Sequence, residues 1–243
     1  MTAASPIFEV EDASLAFGGN KALDSVTFSM AAGELLGLIG PNGSGKTTLL
    51  NAVGSIYPLS AGTIAFEGNR IDSLSMHEVT RAGIGRMFQA PRVFPHMTCM
   101  ENLLAAGFAV RQDGESREDL IHRGEELLAS LTIDQFRDTV AGSMSGGQRM
   151  LLQFARTLML RPRLLLLDEP FGGVHPTLIE VMLERIRTLH EDGLTIIMVS
   201  HDLPTIMSLS QRIIALANGQ LIADGTPAEI RENPLVIEAY LGG

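Results

Sequence analysis

Apolar and polar positions follow two different periods along this chain, and the change of period divides it. In the first third Val26, Phe28 and Met30 interleave with Thr27 and Ser29, the alternation of an antiparallel strand with one buried face. Thr63 to Phe66 predicts another strand, closed by the turn residues Gly68 and Asn69. Between them Leu35 to Ile39 is a short apolar run that feeds a glycine-rich segment and then a helix beginning near Thr47. Strand, loop and helix in that order make a phosphate-binding unit. From about Pro91 to Leu160 the period becomes helical, amphipathic over Glu101 to Phe108 and Asp119 to Leu131, which predicts a helical insertion. Two strongly apolar runs follow, Leu164 to Leu167 and Thr195 to Val199, separated by a helical stretch from Thr177 to His190. Buried parallel strands joined by a crossover helix have this pattern. Arg212 to Leu216 and Gln220 to Ala223 flank Asn218 and Gly219, a hairpin signal because both turn residues tolerate positive φ. Pro227 to Leu241 predicts two short helices broken at Pro234. The expected fold is α/β, a doubly wound core with an antiparallel edge sheet and a helical lobe.

Composition narrows the function classes. The chain has 243 residues, 45% hydrophobic and 19% charged, enough for one domain of one or two lobes with a sizeable core. Its net charge of -10 argues against a nucleic-acid partner, because neutralising phosphates takes clustered Lys and Arg. The single cysteine, Cys99, excludes an internal disulfide framework and suits a reducing compartment. Met1 to Glu11 lacks a basic stretch followed by an apolar run, so it does not read as a signal peptide. No window reaches the roughly 18 to 20 apolar residues of a spanning helix, so service to a membrane is expected to be peripheral.

Three segments carry chemistry. Gly40, Pro41, Asn42, Gly43, Ser44, Gly45, Lys46 and Thr47 match G-x-x-x-x-G-K-[ST] in the required strand-to-helix context, and Thr48 follows directly. The glycines let backbone amides turn toward phosphate oxygens, Lys46 can reach the β and γ phosphates of a nucleotide, and the Thr47 hydroxyl can meet Mg²⁺. The run Leu164 to Leu167 ends in Asp168 and Glu169, which places one carboxylate for the magnesium shell and one for an attacking water. Either carboxylate alone fits a solvated strand end; beside Lys46 the pair fits a magnesium and phosphate site. Ser145, Gly146, Gly147 and Gln148 precede the expected helix Arg149 to Leu160 and form a second anion site at a helix start. Alone they are a helix cap. Beside a complete phosphate loop, a second site for the same ligand suggests a second subunit.

The order of these segments resembles the ABC transporter ATPases over nearly the whole chain: Walker A at Gly40 to Thr47, Gln89, the signature at Met144 to Gln148, Walker B ending at Asp168, and His201. The resemblance implies a single ATPase domain over residues 5–240 that binds ATP and Mg²⁺, with a helical subdomain at about 91–160 and short C-terminal helices at about 227–241. It also implies a head-to-tail dimer in which the Walker A of one subunit faces the signature of an identical or homologous subunit. By position Gln89 would reach the metal and the attacking water, His201 would contact the γ-phosphate, Glu169 would be the catalytic carboxylate and Phe17 would stack on adenine. Taken singly, Phe17 reads as core, His201 as a surface histidine and Gln89 as a loop residue. Met144 stands where leucine is usual, and His175 where many relatives carry Asp or Asn, which leaves the cross-dimer contact of that loop open. His77, His96, His122 and His190 read as solvated, and Met76, Met150, Met159, Met182 and Met207 as helix filling.

Within the family the chain is similar to the ATPases of branched-chain amino acid importers, through Phe17-Gly18-Gly19, Met87-Phe88-Gln89, Gly173-Val174-His175-Pro176 and the ending Asn233 to Gly242. Lipopolysaccharide-export ATPases are similar as well, sharing a Gly-Ile-Gly stretch, a Phe-x-Gly-Val loop and the Tyr-Leu-Gly ending. The implied partners are a second ATPase and transmembrane permease subunits, and the apolar Phe88, Val93, Phe94 and Met97 beside Gln89 make the region Gln89 to Val110 the expected permease dock. The implied place is the cytoplasmic face of the inner membrane. A soluble ABC protein of translation or repair would carry two such domains or a long coiled-coil insertion. A binding module without turnover is disfavoured by Glu169.

Overall fold

The computed structural model describes residues 5 to 241; residues 1 to 4 and Gly242 of the tail ending lie outside the described residues. The chain begins with β1 (Phe8–Phe17) and β2 (Asn20–Met30), then β3 (Leu35–Ile39), α1 (Lys46–Val53), β4 (Ala61–Phe66), β5 (Asn69–Arg70), α2 (Met76–Arg81) and β6 (Ile84–Met87). Helices α3 (Cys99–Ala109), α4 (Arg117–Ser130) and α5 (Gly146–Met159) come next. The last stretch runs β7 (Leu164–Asp168), α6 (Pro176–Glu191), β8 (Thr195–Val199), α7 (Leu203–Leu209), β9 (Arg212–Ala217), β10 (Gln220–Gly225), α8 (Pro227–Glu232) and α9 (Pro234–Leu241).

The strands form two sheets. One is antiparallel with order β2-β1-β4-β5, and the other has six strands in the order β10-β9-β3-β8-β7-β6. In the second, β9 to β6 are parallel and β10 is antiparallel at the edge. β3, β7 and β8 are buried along their whole length because both faces of this sheet are covered. Leu36, Leu38, Leu164, Leu166, Ile197 and Val199 face a core shared with α1 and the antiparallel sheet. Their neighbours Leu35, Ile39, Leu165, Leu167, Ile196 and Met198 face a second core shared with α3 to α6. The strict two-residue period of a strand thus divides one apolar run between two cores.

Periodicity does not reveal β1. Phe8 and Val10 are buried, then Ala13 and Leu15, so the buried set changes phase around Asp12. Asp12 has φ 49°, and the pairing of β1 with β2 and β4 slips there. A bulge of this kind shifts the alternation by one residue and erases the pattern. Helices α3 and α4 begin earlier than their amphipathic stretches, because Thr98 with Glu101 and Ser116 with Asp119 form capping boxes. Met150, Met159 and Met182 are buried as expected, whereas Met76 is exposed on α2. His190 also departs from expectation: it is half-buried, with Nδ1 enclosed and without a partner. Among the described residues no helix is long and apolar enough to cross a membrane.

Candidate active site

The parallel strands β3, β7 and β8 all end on the same side of the sheet, and their carboxyl ends build the site. β3 turns at Gly40, which has φ 147°, and a Cβ there would collide with the Leu216 carbonyl oxygen. Gly45, at φ 107°, is the residue before α1, and a Cβ on it would lie 2.6 Å from the Ala22 carbonyl oxygen. No side chain caps α1, so its first-turn amides are left to a ligand. Lys46 Nζ donates to the carbonyls of Gly40 at 2.7 Å and Pro41 at 2.9 Å and reaches Ser44 Oγ at 3.5 Å. Burial lowers the Lys46 pKa, and the carboxylates of Glu169 and Asp168 oppose that shift. Asn42 to Thr48 line a cleft together with Ala22, Gln89, Glu169 and Val199; Gly40 and Pro41 lead into it.

Asp168 closes β7 and is buried. Thr47 Oγ1 donates to its Oδ1 at 3.3 Å, and Arg86 Nη2, from β6, reaches its Oδ2 at 3.3 Å. Burial raises the Asp168 pKa, and the Arg86 charge and hydrogen bond and the Thr47 hydroxyl offset only part of the rise. Glu169 takes the left-handed conformation, φ 50°, while its amide donates to the Val199 carbonyl at 3.0 Å. This turns its side chain toward His201: Oε2 accepts from the His201 amide at 3.1 Å and lies 2.6 Å from Nδ1. A non-glycine residue held at positive φ between a nucleotide loop and a histidine is the kind of local strain found at reactive sites. The converging hydroxyl of Thr47 and carboxylate of Asp168 are hard oxygen donors. Among the described residues there is no cluster of three His, Cys, Asp or Glu side chains for a metal. Few protein ligands, all oxygen, fit Mg²⁺, which keeps phosphate and water in its shell.

Gln89 is exposed, follows β6 and lines the same cleft. The loop it opens is held by two buried amides that sequence reading did not single out. Gln153 of α5 donates to the Phe88 carbonyl at 2.7 Å and accepts from the Arg92 amide at 2.6 Å. Asn102 of α3 donates to the carbonyls of Phe94, Met97 and Thr98 and accepts from the Phe94 amide at 2.8 Å. Two guanidinium groups lie over the Phe88 ring, Arg86 at 4.7 Å and Arg92 at 4.0 Å from its centre. The loop borders an apolar groove lined by Met76, Val79, Phe88, Phe94, Ala105 and Leu160 among others. Arg86 left a trace in sequence, as the one charged residue of β6.

Two expected groups stand apart from the cleft. Phe17 ends β1, is 48% exposed and packs edge-on against Tyr57 with ring centres 5.0 Å apart. Ser145 to Gln148 open α5 as a capping box, in which Ser145 Oγ accepts from the Gln148 amide and Gln148 Oε1 from the Ser145 amide. Ser145 and Gly146 are exposed, and none of the four lines the cleft of the phosphate loop within one chain. His175 caps α6 through Nδ1, which accepts from the Thr177 amide at 3.4 Å.

Comparison with known proteins places this geometry. A family profile described as ABC transporter matches residues 23–172, and one described as branched-chain amino acid ATP-binding cassette transporter matches residues 220–243. The chain is 38% identical to the probable branched-chain amino acid transport ATP-binding protein LivG of Archaeoglobus fulgidus, covering 97% of this chain and 95% of that protein. It is 36% identical to the lipopolysaccharide export system ATP-binding protein LptB of Escherichia coli K12, with 93% of each covered. A solved nucleotide-free ATP-binding cassette from an ABC transporter superposes with TM-score 0.86 at 31% identity, over 98% of this chain and 100% of the other. A dimeric post-hydrolysis cassette bound to ADP and Pi superposes with TM-score 0.83 at 26% identity, over 90% and 98%.

Proposed function

Because the chain belongs to the ABC transporter family of ATP-hydrolysing subunits, we propose that it energises an importer of branched-chain or related amino acids from the cytoplasmic face of the membrane. The observation that carries this reading is the match of residues 220–243 to the branched-chain profile. Its test is uptake of labelled leucine in a strain lacking the gene. A deficit restored by the intact gene supports the reading. Normal uptake with a defective outer envelope would replace it with the lipopolysaccharide-export reading that the likeness to LptB favours.

The residues of one domain, 5–240, divide the work of phosphoryl transfer to water. Lys46 and the amides of Asn42 to Thr48 hold the phosphates, and Phe17 receives the adenine face. Thr47, Asp168 and Gln89 would hold Mg²⁺, which supplies charge stabilisation on the phosphate oxygens. Glu169 takes the proton of the attacking water as its oxygen bonds to the γ-phosphorus and the bond to the β-phosphate oxygen breaks, releasing ADP. His201 holds Glu169 in place through the two bonds to Oε2 and reaches the γ-phosphate. Catalysis of this kind is positioning and electrostatics.

The exposed helix start at Ser145 to Gln148 completes the site of a second subunit, identical or homologous. This accounts for a phosphate-type site that does not line its own cleft. Glu169→Gln keeps the shape of the site and slows turnover ~10²- to 10⁴-fold, so MgATP should hold a closed dimer visible by light scattering. Adding Ser145→Arg should disperse it. A dimer indifferent to Ser145→Arg would overturn the arrangement. The permease subunits dock in the apolar groove beside the Gln89 loop, where Phe94 is exposed and Met97 is exposed further along the same loop.

A further inference from the structure

The C-terminal tail reaches the phosphate loop. Asn233 starts α9 by accepting from the amides of Leu235 at 2.9 Å and Val236 at 3.4 Å. Val236 then anchors the helix in the core, against α8 and β10. This brings the Tyr240 hydroxyl to 2.9 Å from the amide of Gly40, which donates to it across a sequence separation of 200. Gly40 is the hinge where β3 becomes the loop, bent at φ 147° against the Leu216 carbonyl. A backbone in such a conformation persists only where its surroundings over-determine it. Two side chains tie it: Lys46 Nζ holds the Gly40 carbonyl at 2.7 Å, and Tyr240 holds the amide. On the reading of residues 40–48 as the phosphate loop, a bound nucleotide draws Lys46 toward its phosphates and away from that carbonyl. The Tyr240 hydroxyl then carries the restraint on Gly40.

We propose that α9 is a latch on the phosphate loop and that Tyr240 is a positioning residue for nucleotide binding, acting through the Gly40 amide without touching the nucleotide. The side chain is suited to the task. Tyr240 is 38% exposed, yet partial desolvation of its hydroxyl raises its pKa, the Gly40 amide opposes the rise and the Glu169 charge adds to it, so the hydroxyl stays protonated. Because the restraint matters most once Lys46 has turned to the phosphates, its loss is read in the loaded state rather than in the stability of the free chain.

The experiment compares the full chain with Tyr240→Phe and Lys46→Ala, titrating each calorimetrically with ADP in excess MgCl₂ and melting each without nucleotide. Tyr240→Phe keeps the aromatic ring and removes only the hydroxyl that accepts from the Gly40 amide. It should weaken ADP binding about 3- to 10-fold, the scale of one net hydrogen bond, while the unfolding midpoint stays within about 1 °C. Amide exchange with saturating ADP should quicken in the segment 39–45. Unchanged affinity in Tyr240→Phe while Lys46→Ala fails to bind overturns the latch and leaves the phosphate-loop reading standing. Lys46→Ala that binds like the parent overturns that reading, and the latch with it. An affinity loss matched by a fall in the unfolding midpoint also overturns the proposal, by making the tail a packing element.

Discussion

Arg86 and Asp168 face each other from neighbouring parallel strands, guanidinium Nη2 to carboxylate Oδ2 at 3.3 Å, both side chains shut off from solvent. Arg86 also donates to the Leu50 carbonyl at 2.7 Å, so one buried cation ties β6 to β7 and to α1. Removing one partner of a buried pair leaves the other charge uncompensated, which costs about 3–5 kcal/mol. Arg86→Leu should therefore unfold at markedly lower denaturant. The Asp168 pKa already lies above the usual carboxylate value because burial outweighs its partners, and losing Arg86 raises it further. A carboxyl with a raised folded pKa contributes stability while protonated and loses it as pH climbs through that pKa. The deficit of Arg86→Leu against the parent should then be smaller near pH 5 than near pH 7.5, and Asp168→Asn in the same background should recover part of it. An equal deficit at both pH values, unrelieved by Asn, would mean that Arg86 acts through packing.

Gly40 and Gly43 both have positive φ, yet their surroundings differ. A Cβ at Gly40 collides with the Leu216 carbonyl, whereas at Gly43 it meets nothing within 4 Å. Gly43→Ala should cost about 1–2 kcal/mol, the price of a left-handed alanine. Gly40→Ala should cost more, above ~3 kcal/mol, because a backbone clash adds to the strain. Urea unfolding of the two variants measures the difference, and equal costs would contradict the close approach of β9.

Phe94 is 45% exposed at the groove, with the Arg156 guanidinium 4.7 Å from its ring centre. Phe94→Asp should reduce co-purification with the permease subunits by at least about tenfold, since a buried interface aromatic contributes on the order of 2 kcal/mol or more. ATP binding by the isolated chain should be unaffected. Undiminished co-purification would move the docking site elsewhere.

Cys99 is buried at the start of α3, with Sγ 3.2 Å from Met144 Sδ, and burial pushes its pKa up to about 11. The thiolate is the reactive form, so native protein at pH 8 should resist iodoacetamide and react fully in guanidinium chloride. Rapid labelling of the native protein would indicate that the α3 to α5 core opens readily.

What the sequence determined by itself is what the chain does over short stretches. Leu35 to Ile39, the loop from Gly40 and the helix from Lys46 are contiguous, so apolar run, glycine spacing and helix start could be read together. The same holds for the run ending in Asp168 and Glu169 and for the hairpin turn at Asn218 and Gly219. Tertiary structure decided everything that depends on register or on distant segments meeting. The bulge at Asp12 hid β1, because a single residue out of phase cancels an alternation. Asn102 and Gln153 lie on amphipathic helices as ordinary polar residues, and only the fold turns them inward to hold the Gln89 loop. Arg86 finds Asp168 because β6 and β7 pair, and Tyr240 finds Gly40 because α9 packs back against the edge strand β10. Periodicity reports which face of an element is apolar; which residue meets which is set by packing, and no pattern along the chain encodes a partner 200 positions away.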